Sequence, residues 1–165
     1  MYVSGWTNFY VIVSTAAGAL TGLMFVVIAL RREALSNAPR HGLRSFATPT
    51  ILHFSSVLGL AALLSMPRLA RATVGWILVV VGGGLLGYMN FVIFNARRFD
   101  YASDLEDTIF HFTLPPLAHA AIIVAGVLVW SRHPGGLYLV AAGLLTLLFV
   151  GIHNAWDSAV WFMTH

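Results

Sequence analysis

The sequence predicts an all-α integral membrane protein: one polytopic domain of five transmembrane helices, N-terminus outside and C-terminus cytoplasmic. Three observations lead there. Of 165 residues, 59% are hydrophobic and 9% charged, against about 25% charged in an average soluble domain. Five apolar stretches approach or exceed the ~20 residues needed to cross ~30 Å of hydrocarbon. All nine arginines fall in the segments between those stretches, where they set orientation.

The first stretch, residues 9–30, has no basic segment before it and no small-residue cleavage site, so it is expected as a retained helix rather than a signal peptide. Its "AGALTG" places Gly18 and Gly22 four apart, a spacing that lets helices approach closely. Arg31, Arg32, Arg40 and Arg44 come next, with Pro39, His41 and Gly42, and are expected as a surface loop. The second stretch, 50–66, begins behind Pro49. The third, 74–94, carries Gly82, Gly83, Gly84 and Gly87, with Arg97 and Arg98 just beyond it. The fourth, 109–130, contains Pro115 and Pro116, which remove backbone donors and bend a helix. The fifth, 136–156, ends on His153, Asn154 and Asp157.

Six arginines in the first and third loops against Arg68, Arg71 and Arg132 in the second and fourth place the former pair in the cytoplasm. Trp6, Trp76, Trp130, Trp156 and Tyr138 fall near the expected interfaces, as aromatic belts do. The net charge of +3 is therefore a topology signal, and no nucleic-acid partner is expected. With no cysteine there are no disulfides and no thiolate ligands. The expected surroundings are a lipid bilayer, in the plasma or inner membrane, and the glycine runs suit a homo-oligomer.

At ~1.5 Å per residue, His53, Asn90, His111 and His153 fall within several ångströms of the cytoplasmic face, with Asp107 and Asp157 at its edge. Asp107 and His111 are four apart, as are His153 and Asp157, so each pair shares a helix face. Ionisable groups in membrane helices face the interior and mark functional sites. His53, His111, His153, Asp157 and Asp107 are thus the candidate ligands of a divalent transition metal: Zn, Fe, Mn or Cu, which accept N and O donors. Asn90 and Asn154 are candidate donors behind them, and His119, ~12 Å deeper than His111, is a candidate for a pathway. A metal-bound water would supply any hydrolytic chemistry, on an apolar substrate. Haem b, held by two facing histidines with glycines making room, ranks second. A proton-sensitive oligomeric channel or transporter using titrating histidines is the alternative. The local reading of either carboxylate–histidine pair is a simple i,i+4 ion pair. Glu106 and Asp104 are accounted for by the helix dipole, and Ser14, Thr21, Ser65 and Thr146 by bonding to their own backbone.

Overall fold

The computed structural model describes residues 4–30, 40–96 and 105–164. Five long helices form it: α1 Thr7–Leu30, α2 Arg40–Leu64, α3 Arg71–Ala96, α4 Leu114–Trp130 and α5 Gly136–Thr164. A 3-10 turn, Ser4–Trp6, leads into α1. The single turn Leu105–Asp107 and a π-helical segment, Thr108–Thr113, lead into α4.

Four stretches are long and apolar enough to cross a membrane: Thr7–Ala29, Arg71–Phe91, Thr108–Trp130 and Gly136–Val160. The apolar part of α2, Pro49–Leu64, is shorter. The helix itself starts at Arg40 rather than behind Pro49, so part of the expected surface loop is helical. Pro49 is carried inside it, which membrane helices tolerate when neighbours re-satisfy the freed backbone. α5 likewise runs eight residues past the expected end at Trp156, so His153 and Asp157 lie within it.

The helices alternate in direction. Trp6 meets Tyr138 (ring centroids 4.8 Å apart), which puts the starts of α1 and α5 at one end. Trp76 lies beside Trp130 at 6.0 Å, bringing the start of α3 to the finish of α4. The α4–α5 hairpin closes in a Schellman motif: His133 N–H reaches Leu128 O at 2.9 Å and Arg132 N–H reaches Val129 O at 3.2 Å. Arg132 sits there at φ 65°, a left-handed position usually given to glycine. Pairs α3–α4, α4–α5, α1–α2 and α2–α5 carry most of the packing, with α5 the most enclosed and α1 peripheral.

Glycine makes the closest of these seams. A Cβ at Gly126 would lie 2.8 Å from Gly75 O, and one at Gly75 would lie 2.9 Å from Gly126 O. Gly82 fits against Ile123 and Ile122, and Gly143 against Ile122 and Ala118. Gly83, Gly84 and Gly87 face open space instead.

Large apolar side chains line the surface, and a few polar ones are buried within an otherwise apolar core. Ile12, Val80 and Phe149 are 67%, 65% and 65% exposed, while Thr50, His53, His119 and Asn154 are buried. Such a surface suits a protein whose solvent is lipid. The membrane hydroxyls bond their own helix: Ser14 Oγ donates to Val11 O, Thr21 Oγ1 to Ala17 O, Ser65 Oγ to Ala61 O and Thr146 Oγ1 to Ala142 O, all within 3.0 Å.

Candidate functional site

Two groups of polar side chains lie in the half of the bundle toward Arg40, Leu105 and Thr164. The deeper is a histidine pair. His53 on α2 and His119 on α4 are both buried, and their ring centroids are 6.3 Å apart with planes tilted by 39°. His119 Nδ1 lies 2.8 Å from Pro115 O and donates to it. That bond assigns the proton to Nδ1 and leaves Nε2 with a bare lone pair. Neither His119 Nε2 nor His53 Nδ1 has a hydrogen-bond partner among the described residues. His111, in the π-helical segment, lies within electrostatic reach of His53.

Sequence spacing puts His119 well below the other histidines, and the difference has two causes. α2 begins about ten residues earlier than expected, so His53 lies roughly 20 Å along it from Arg40. At the entry to α4, Pro115 and Pro116 cannot donate to the carbonyls of His111 and Phe112. The chain before them takes the wide π turn, which Thr113 Oγ1 supports by donating 2.9 Å to Thr108 O, five residues back. Each i→i+5 turn takes in an extra residue and re-aims the side chains beyond it, and here it brings His119 onto the α2 side.

The second group lies nearer the helix ends. His153 Nε2 is 3.0 Å from Asp157 Oδ2, the i,i+4 pair expected from spacing, and 3.4 Å from Glu106 Oε1. Phe110 stacks on the His153 ring at 3.7 Å and 23°. Sequence reasoning misses Glu106 because an acidic first turn already has a dipole explanation. Its sequence position, five residues before His111, gives no sign that it reaches α5. Asn154, one residue on from His153, is buried, and neither amide atom has a partner among the described residues.

The remaining candidates separate from these groups. Asn90 is exposed on α3 and donates 2.9 Å to Leu86 O, bonding its own helix. The side chain of Asp107 lies outside the described residues, as do Arg31, Arg32, His41, Arg97 and Arg98. Among the described residues, no three or more of His, Asp and Glu converge so as to hold a metal ion. Among the described residues the site is therefore a pair of neighbouring imidazoles with an ion-paired histidine beyond it.

Asp157 and Glu106 are 43% and 69% exposed at the side chain, so screening limits what their ion pairs contribute. Asp157→Asn is expected to lower stability by less than ~1 kcal/mol, measured by thermal denaturation in detergent. A larger loss would mean that this end of α5 depends on the charge.

The chain matches no known protein-family model, no curated protein and no solved structure.

Proposed function

We propose that this is a five-span membrane protein, N-terminus outside and C-terminus cytoplasmic, that binds a transition-metal ion between His53 and His119. The observation that carries the reading is His119. Its Nδ1–H is tied to a backbone carbonyl while Nε2 has no partner among the described residues, and the ring of a second buried histidine from another helix has its centroid 6.3 Å away. Metal-ligating histidines carry this outer bond almost without exception, because it fixes the tautomer and raises basicity. Centroids 6.3 Å apart admit one ion at ~2.0–2.1 Å from a nitrogen of each ring when the two nitrogens lie nearly opposite each other across it. Neutral nitrogen donors without thiolates suit Zn, Fe, Mn or Cu.

His111, within electrostatic reach of His53, is a further donor in this arrangement, and His153, Asp157 and Asp107 supply charge at the cytoplasmic edge. A bare ion fits better than haem b. The glycines that would open a porphyrin slot, Gly82 and Gly143, are filled by isoleucine side chains, and Gly83, Gly84 and Gly87 point outward. That outward face of α3 is where a second copy would sit in a homo-oligomer.

The alternating directions support five crossings. The loop between α2 and α3 is only six residues long, so α2 must return its chain to the Trp76 end. The six arginines flanking the opposite end favour the cytoplasm for it. The channel or transporter alternative draws on the same histidines, with His153 as its mouth, but the apolar half beyond His119 offers it no exit.

Elemental analysis of protein purified at neutral pH tests the reading. About one ion per chain is expected, released on acidification because protons compete for the imidazole lone pairs. Folded protein that carries no metal, and takes up none on dialysis against Zn, Fe, Mn or Cu salts, overturns it.

A further inference from the structure

We infer that the bundle carries a one-sided aqueous inlet, running from His153 between α2, α4 and α5 to the His53–His119 pair and closed beyond it. The inlet is a property of the chain itself and stands whether the pair holds a metal ion or a proton.

Four buried polar atoms motivate it. Asn154 Nδ2 and Oδ1, His53 Nδ1 and His119 Nε2 have no hydrogen-bond partner among the described residues, and their side chains are 1%, 1% and 0% exposed by residue. An isolated atom of this kind is rare in folded proteins, and four in one interior require polar company. They share one seam. Gly151, a turn before Asn154, sits against the Phe54 ring, so this face of α5 looks onto α2 where His53 lies. His53 in turn faces His119 on α4. A polar seam with several donors and acceptors is the setting in which buried water is held, at about three bonds each.

The mouth is polar. His153 lies between Glu106 and Asp157, both carboxylates reach solvent, and no residue of the π segment is buried. The far side is shut. Leu60, Leu78, Ile122, Ala125, Val140 and Leu144 are all 1% exposed or less; of the polar groups buried in that half, Ser56 Oγ donates to Leu52 O at 2.6 Å and the Tyr10 phenol lies toward the Trp6 end. Thr21, Ser65 and Thr146 turn to their own carbonyls and do not extend the path. The inlet therefore admits water, protons and hydrated cations from one face only.

The chain has no cysteine, so single-cysteine variants can be read without background. Ser158→Cys, Asn154→Cys and Leu144→Cys, with His165→Cys as a marker of the C-terminal face, would be reconstituted in vesicles. A charged, membrane-impermeant methanethiosulfonate would be applied to each face in turn, in chelator. Near-complete modification of Ser158→Cys and Asn154→Cys from the marker face alone is expected, with none of Leu144→Cys from either. Ser158→Cys exchanges one atom and guards against misfolding at Asn154. Protection of Ser158→Cys and Asn154→Cys from both faces, or labelling of Leu144→Cys from either, overturns the inlet. Because the assay runs without metal, labelling in protein that never binds metal would remove the metal reading and leave the inlet standing.

Discussion

His119→Ala is expected to weaken metal binding by at least ~100-fold, since loss of an outer-bonded partner alone costs 10–100-fold and here the ligand itself goes. His53→Ala should do the same. The double variant should be little worse than either single one, because both remove the same centre and their effects do not add. Competition against a chromophoric chelator measures all three. His153→Ala is the informative contrast. Its ring is held by Asp157 and Glu106 and stacked on Phe110, away from the pair. A small change is expected there. If His153→Ala strips the metal while His119→Ala keeps it, the centre lies at the helix ends and the buried pair is only a packing feature.

Gly126→Leu should separate α3 from α4. The two backbones touch through Gly75 and Gly126, each meeting the other's carbonyl oxygen at under 3 Å from a notional Cβ. Backbone cannot give way as a flexible side chain can, so four added carbons push the helices apart. Overpacking of this kind costs about 1–3 kcal/mol and sometimes more. In lipid, close approach at small residues is also what holds helices together. Gly84→Leu, which meets nothing within 4 Å, should leave stability unchanged. Size-exclusion profiles after stepwise heating compare the two. Equal behaviour would refute the α3–α4 seam.

The fold class was legible because composition decides it: too few charges for water, and apolar runs of membrane length. Helix limits were less so. "RHGLRSFATP" has the arginines, glycine and proline of a loop, yet it forms the first turns of α2. "NAWDSAVW" after His153 loses the apolar pattern, yet α5 continues through it. In both places helix is kept where the local sequence only permits it. The His153–Asp157 pair was readable from spacing, since four residues on a helix bring side chains together whatever else happens. The His53–His119 pair was not. Depth counted along an ideal helix assumes a regular 3.6-residue turn, and Pro115, Pro116 and the π segment break that assumption in the one place that aims His119. The two prolines were the available signal; Thr113, five residues from Thr108, was the other half of it. Glu106 shows the opposite failure, a residue with a sufficient local explanation that makes a long-range contact as well.

The hydrogen bond from His119 to Pro115 has a mechanical side. The imidazole cannot exchange which nitrogen it offers unless that carbonyl lets go, and the carbonyl belongs to the turn that straightens the widened coil back into α4. Ring orientation and backbone winding are thereby geared together. A nitrogen-15 resonance from this one side chain would report the winding of the neighbouring turn as a needle reports the position of a shaft.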